Sequence, residues 1–136
     1  MNIQHINPPE LGNPSHYGFT HLTTVPPGAQ LVFIAGQSGA DENGSYGSFK
    51  DQLERAFIRL RKALSAVGAA PEHVVKITIL SVDHDADKQR LISAQRNAFW
   101  PDELIKPTST LIPVPRLASD GMLFEIDAIA VLPISN

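Results

Sequence analysis

One run of β-branched residues limits the possible folds of this chain more than any other feature. The stretch from Val74 to Val82, VVKITILSV, is almost continuously apolar and is bounded by Pro71 and Asp83. Such a run is typical of a strand that is buried on much of both faces. A helical pattern precedes it and another follows it, and strand–helix–strand connections of this length usually form parallel crossovers. The centre of the chain therefore predicts a sheet with helical connections.

Both flanking helices are indicated by start and stop signals. The first begins at Ser48, which is followed three residues later by Asp51 in a pattern like a capping box, and it ends at Gly68. The second extends roughly from Asp85 to Phe99. Apolar residues recur at helical spacing in the first helix at Phe49, Leu53, Ala56, Phe57, Leu60 and Leu64. The second is predicted to bury Leu91, Ala94, Ala98 and Phe99.

The remaining apolar runs predict strands at both ends of the chain. A hairpin is expected from 17–25 and 31–35 around Pro26-Pro27-Gly28, and the last two strands are expected at 108–114 and 123–132. Residues 1–15 lack periodicity and are expected to form an N-terminal arm. The order is ββαβαββ in one domain, residues 1–136. This order predicts an α+β fold in which a mixed sheet carries both helices on one face. Another copy of the chain is expected to cover the opposite face.

The composition argues against several classes of function. A net charge of −3 without a basic stripe argues against nucleic-acid binding. There is no cysteine, no visible signal peptide and no apolar run long enough to span a membrane, so a cytoplasmic protein is expected. None of the five histidines has metal-ligand spacing, so no metal site is predicted. The Gly-rich segment 36–48 matches no phosphate-loop motif and is expected to be a flexible loop.

Two acids in the final strand stand out. Glu125 and Asp127 are two residues apart and therefore project from the same face of the strand, opposite the apolar residues that form its core face. The pattern leaves two alternatives open: a partner chain covers them, or they line a cleft. In a cleft, a carboxylate can act as a general base toward water. The hydroxyl groups of 108–110 are expected first of all to bond to nearby backbone.

Four segments together resemble the reactive intermediate deaminase family, also called YjgF or Rid, some members of which are named endoribonuclease L-PSP. They are FIAGQSGAD, FKDQLERAFIRLRKALSAVGA, HVVKITILSVD, and PTSTLIPVPRL followed by LFEIDAIAV. The similarity extends from about Tyr17 to Val131. It implies a chorismate-mutase-like fold that assembles as a homotrimer with clefts at the subunit interfaces. Active members hydrolyse 2-imino or enamine acids to 2-keto acids and ammonia without a metal or organic cofactor.

The resemblance also implies which side chains are functional. Glu125 matches the glutamate that is held to orient the attacking water. Tyr17 matches a tyrosine that contacts the ligand, and Gly36 matches a glycine whose backbone groups face it. Ser93 matches a polar helix position that is often Asn. Leu111 belongs to PTSTLIPVPRL, the segment that is expected to form the wall of the cleft.

Ser109 departs from the family pattern, because it stands where the imine deaminases have the arginine of a P-A-R-[ST] motif. Arginine binds a carboxylate bidentately, whereas serine offers one neutral donor. A charge-assisted hydrogen bond is worth roughly 1.5–3 kcal/mol against about 1 kcal/mol for a neutral one, so the exchange predicts binding weaker by ~10²-fold or more. Arg116 is too distant within one subunit, and the sequence leaves open whether a neighbouring chain brings Arg116 or Arg96 near Ser109.

These features predict a homotrimer that binds a small, less anionic metabolite between its subunits. As an enzyme it would hydrolyse or deaminate an enamine- or carbonyl-type compound with water held by Glu125, and it would act weakly or not at all on 2-imino acids. Ser109→Arg is then expected to raise hydrolysis of 2-iminopropanoate. The alternative is a non-catalytic ligand-binding or regulatory module. An endoribonuclease is a further alternative, against which the acidic charge balance argues.

Overall fold

A computed structural model describes residues 2–132 of the chain, which form two helices and six strands with four short 3-10 turns. The helices are α1 (Phe49–Ala66) and α2 (Ala86–Phe99). The strands are β1 (Gln4–Ile6), β2 (Leu22–Thr24), β3 (Gln30–Ser38), β4 (Val74–Val82), β5 (Thr108–Val114) and β6 (Phe124–Leu132). No helix within this part of the chain is both long and apolar enough to cross a membrane.

The four longest strands form one mixed sheet in the order β3-β6-β4-β5. β4 is parallel to β5, while β6 is antiparallel to both β3 and β4. Both helices pack on the same face, where α1 contributes Phe57 and Leu60 to a core that also contains Ile92 of α2 and Ile77 of β4. The predicted α+β class, with a mixed sheet and two helices on one face, is confirmed. We call this the helix-covered face and the other the open face.

Local signals fix α1 where the sequence predicts it. The Ser48 side chain accepts a hydrogen bond from the Asp51 amide at 3.2 Å and so caps the first turn. Gly68 follows the helix with φ of 75°, a left-handed conformation that favours glycine. The six apolar residues of the predicted stripe are all buried. Gln52, also fully buried, donates to the carbonyls of Gly47 and Gly121 and accepts from the Leu123 amide.

The predicted N-terminal hairpin is wrong. β2 pairs with β1, inside the expected arm, in a separate two-stranded sheet, and within the described part of the chain β3 pairs only with β6. The turn at Pro26 does form, since the Ala29 amide donates to its carbonyl. The segment before the turn is held elsewhere: the Thr20 amide donates to the Pro107 carbonyl at 2.8 Å, and Thr23 Oγ1 donates to the Val75 carbonyl at 3.0 Å. These bonds place it across the starts of β4 and β5.

The buried face of α2 also differs from the prediction. Phe99 is buried as predicted and Leu91 is partly buried, but Ala94 and Ala98 are exposed. Ile92, Arg96 and Phe99 form the buried stripe instead. Ile92 and Phe99 lie one helical turn before and after Arg96, so the large side chains set the orientation of the helix and carry the arginine inward.

Candidate functional site

One candidate cluster lies on the open face, where Gly36 of β3 meets Glu125 of β6. With Thr78, Leu80 and Asp127, these residues line a cavity of about 100 Å³. A larger cavity of about 430 Å³ shares Thr78 and Asp127 with it and extends towards Phe33. Glu125 is half-buried while Asp127 is exposed, and both project from the face opposite the core, as their spacing predicts. We call this group the open-face cluster.

An irregularity in β3 brings Gly36 against the carboxylate. The pairing with β6 shifts by one residue between Ile34 and Gln37, so that Ala35 and Gly36 together oppose Asp127. A Cβ atom at Gly36 would lie 1.9 Å from Glu125 Oε1. Only glycine leaves this carboxylate its present position, and its backbone forms one wall of the small cavity. The start of the predicted Gly-rich loop is therefore the end of a strand.

The second cluster lies on the helix-covered face and is centred on Arg96 of α2. Arg96 Nη1 donates to Ser109 Oγ at 2.9 Å, and Arg96 Nη2 donates to Ser93 Oγ at 3.4 Å. Gly18 closes over the arginine with φ of 94°, and a Cβ atom there would lie 2.6 Å from Arg96 Cβ. Tyr17, the preceding residue, is half-exposed beside α2. We call Ser93, Arg96, Ser109 and Tyr17 the Arg96 cluster.

The guanidinium of Arg96 is buried without a matching negative charge. The residue is 3% exposed, and within residues 2–132 no carboxylate forms an ion pair with it. Its Nε is buried and has no hydrogen-bond partner, although the guanidinium carbon lies 5.6 Å from the centre of the Phe19 ring. Burial lowers the pKa of Arg96 to about 10, so the group is still charged at neutral pH.

A second buried cation, Lys106, also makes two hydrogen bonds. Its Nζ donates to Asn97 Oδ1 at 2.7 Å and to the Trp100 carbonyl at 2.6 Å. Burial lowers its pKa, while Asp102 and Glu103 act in the opposite direction and Arg96 adds to the lowering. Both side chains are cations on the same side of the molecule, and only Lys106 has carboxylates near enough to offset part of its charge.

The two clusters lie on opposite faces of the same sheet. Ser109 is paired with Ile77, which is fully buried in the core, and its hydroxyl contacts α2. Glu125 is paired with Leu80, and both line the open-face cavity. Leu111 packs partly buried against the core and so shares the face of Ser109. The structure therefore brings Ser93 to Ser109 and Gly36 to Glu125, but one chain does not bring the two pairs together.

Sequence reasoning did not assign Arg96 to a site within one chain and left open whether a neighbouring chain brings it near Ser109. In the structure, it reaches Ser109 from α2 of the same chain. The signal was present in the helical phase: Arg96 lies four residues after Ile92 and three before Phe99. Arg116, by contrast, pairs with Asp120 at the surface.

The histidines do not form a metal site. Among residues 2–132, no group of three or more His, Cys, Asp or Glu side chains is arranged to hold a metal ion. His84 instead contacts Ser81 Oγ and Gln89 Oε1, both at 2.9 Å, and His5 contacts the Lys106 carbonyl at 2.6 Å. These histidines connect elements of the fold.

The chain is similar to known proteins over most of its length. Residues 19–132 match the family model described as Endoribonuclease L-PSP. The RutC family protein YjgH of Escherichia coli K12 is 29% identical over 104 residues, which are 76% of each chain. A crystal structure of YyfB from Yersinia pestis, a Rid-family protein of unknown function, has a TM-score of 0.89 and 30% identity, and the match covers 97% of this chain and 100% of that one.

A second similar structure contains a ligand. E. coli TdcF with bound serine has a TM-score of 0.67 and 25% identity, and the match covers 80% of this chain and 85% of TdcF. Residues 19–132, which match the family model, include both clusters except Tyr17. Since the family model covers most of the sequence and the fold agrees with a Rid protein along nearly its full length, the chain belongs to the Rid/YjgF family.

Proposed function

We propose that this protein binds a small metabolite in clefts between copies of the chain and hydrolyses or deaminates an enamine- or carbonyl-type compound there. The observation that carries the proposal is the placement of the two clusters on opposite faces of one sheet. A second copy that covers the open face would bring its own Arg96 cluster towards Glu125. A homotrimer, as the family resemblance implies, completes one such cleft at each of its interfaces.

The open face has the character of a contact surface. Phe33 is 73% exposed and Leu31 is 45% exposed, both on β3, and Ile112 is 43% exposed on β5 at the other edge. Apolar groups of this size at the surface of a sheet that has no covering layer favour association. TdcF, a structural relative, is described with bound serine, which supports a small polar metabolite as the ligand.

In such a cleft, Glu125 would activate water. Its carboxylate takes a proton from water as the water oxygen bonds to the carbon of a C=N group, and that proton passes to the nitrogen. The hydroxyl group of this adduct then gives up its proton to the nitrogen through Glu125, the C–N bond breaks, ammonia leaves, and a carbonyl remains. General-base assistance of this kind contributes about 10²–10⁴-fold to the rate.

Exchange of the carboxylate tests the proposal. Glu125→Gln keeps the shape of the side chain but removes the base, and we expect turnover of imine and enamine substrates to fall by at least ~10²-fold while ligand binding is retained. Ammonia release and calorimetry measure the two quantities. Glu54→Gln, an exposed change on α1, is the control and should behave as wild type. Wild type that binds ligands but turns over no member of a substrate panel would instead favour a non-catalytic binding module.

A further inference from the structure

We propose that Arg96 supplies the positive charge with which this cleft recognises a carboxylate, acting through the hydroxyl groups of Ser93 and Ser109. The inference rests on the proposed function, because it names the substrate class of the same cleft. It also changes an expectation from the sequence: weak activity on 2-imino acids was predicted from the neutral hydroxyl of Ser109 alone. The charge absent from β5 is supplied by α2.

The first argument is the incomplete environment of Arg96. A buried cation is normally paired with an acid and has its N–H groups satisfied, because removal from water is otherwise costly. Arg96 has neither condition met within residues 2–132, since its Nε lacks a partner and its two hydrogen-bond acceptors are neutral hydroxyls. An anionic ligand bound to these two hydroxyls supplies the missing negative charge.

The second argument is the direction of the hydroxyl groups. Each serine oxygen accepts a hydrogen bond from the guanidinium, so the hydroxyl proton remains free to donate to another group. Ser93 and Ser109 are both half-buried, whereas the arginine beneath them is buried. Two hydroxyls that are polarised by one guanidinium present two donors, which suits the two oxygens of a carboxylate. Arg96 is thus a positioning residue whose charge acts through the serines.

A purely structural role is the competing explanation. Arg96 connects α2 to β5 and packs under Gly18, so it also contributes to the shape of this corner of the fold. The two explanations differ in selectivity: a structural tie would not distinguish a carboxylate from a neutral group of the same shape. They differ in stability too, because removal of an uncompensated buried charge does not destabilise a protein as removal of a structural tie does.

The test compares pyruvate with pyruvamide, its neutral amide, as ligands of the full-length protein. We expect wild type to prefer pyruvate, and Arg96→Gln to lose that preference by about 10–100-fold, as befits a charge-assisted interaction. Arg90→Gln, an exposed arginine on the same helix that pairs with Asp87, is the control and should keep the preference. Titration calorimetry gives both dissociation constants for each variant.

Two further variants protect the test against a folding defect. Arg96→Met should unfold in urea at the same or a higher concentration than wild type. The double variant Arg96→Gln with Ser109→Arg moves the guanidinium from α2 to β5 and should restore the preference for pyruvate. Ser109→Arg alone would place a second guanidinium beside that of Arg96, because the Ser109 hydroxyl already lies 2.9 Å from Arg96 Nη1. The two positive charges would repel each other, so the gain in pyruvate binding should appear only in the double variant.

Several results would overturn the inference. Wild type that binds neither compound, or binds both equally well, would do so, as would Arg96→Gln that retains the preference for pyruvate. Weaker assembly of Arg96→Met with unchanged pyruvate binding would indicate that a carboxylate of a neighbouring copy neutralises the guanidinium. Full turnover by Glu125→Gln would contradict the proposed hydrolysis while leaving Arg96-dependent selectivity intact, so the two proposals fail separately.

Discussion

The two faces of the central sheet treat polar groups in different ways. On the helix-covered face, Gln52 is fully buried and its amide makes three hydrogen bonds to backbone groups of its own chain. Arg96, on the same face, is almost as buried, but among residues 2–132 it has no acidic partner and its Nε has no hydrogen-bond partner. On the open face, Glu125 remains half-buried beside a cavity. Burial alone therefore does not mark a structural residue: of Gln52 and Arg96, the one with unsatisfied polar groups is the candidate for function.

The largest expected effect is on assembly, and it tests whether the open face is the contact surface. Phe33→Glu places a charge among the exposed apolar side chains of β3, and burial of an unpaired carboxylate costs on the order of several kcal/mol. We therefore expect the variant to dissociate to monomers at micromolar concentrations, which sedimentation equilibrium measures. Ile58→Glu, at a residue 53% exposed on α1, is the matched control and should stay assembled. The reverse result would assign association to the helix-covered side.

The next effect concerns the satisfied polar group. Gln52→Ala leaves the Leu123 amide and two carbonyls without their partners, which should lower the free energy of unfolding by about 1–3 kcal/mol. Urea denaturation at a fixed protein concentration measures the change. A loss as small as that of an exposed α1 variant such as Glu54→Gln would mean that burial with full hydrogen bonding is not what distinguishes Gln52 from Arg96.

The smallest effect separates two glycines, each of which lies against one cluster. Gly18→Ala forces a left-handed conformation on alanine and brings its Cβ against Arg96 Cβ, and we expect a loss of about 1–2 kcal/mol. Gly36→Ala meets mainly the flexible end of Glu125, which can rotate away at a cost of about 1 kcal/mol or less. Turnover should nevertheless fall more in Gly36→Ala than in Gly18→Ala. Equal turnover in the two variants would contradict a role for the position of the Glu125 carboxylate.

The sequence predicted the centre of the fold well because several independent signals agree there. Val74–Val82 is a strand with the predicted bounds, and α1 has the predicted cap and buried stripe. The N-terminal hairpin failed because a turn signal fixes where the chain reverses but not which strand it then pairs with. That choice depends on side-chain bonds such as Thr23 to Val75, which connect residues distant in sequence.

The sequence named several residues of the candidate site but not their arrangement, and it did not name Arg96 as a partner within the chain. The spacing of Glu125 and Asp127 correctly placed both on one face, and resemblance named Ser93 and Ser109, whose roles remain predictions. Arg96 was overlooked as a partner within the chain because Ala94 and Ala98 were predicted for the buried side of α2. The larger side chains of Ile92 and Phe99 set the orientation of α2, and Arg96 is buried because it lies on the same side of the helix.

The one-residue irregularity in β3 has a consequence for how this protein can diverge. Before it, Leu31 and Phe33 point to the open face; after it, the alternation reverses, and Ser38 pairs with Glu125 on that same face. The strand is thereby divided into a part that exposes apolar side chains and a part that packs against a carboxylate. Substitutions at Leu31 and Phe33 can change which surface the open face binds without displacing Gly36, which contacts the Glu125 carboxylate.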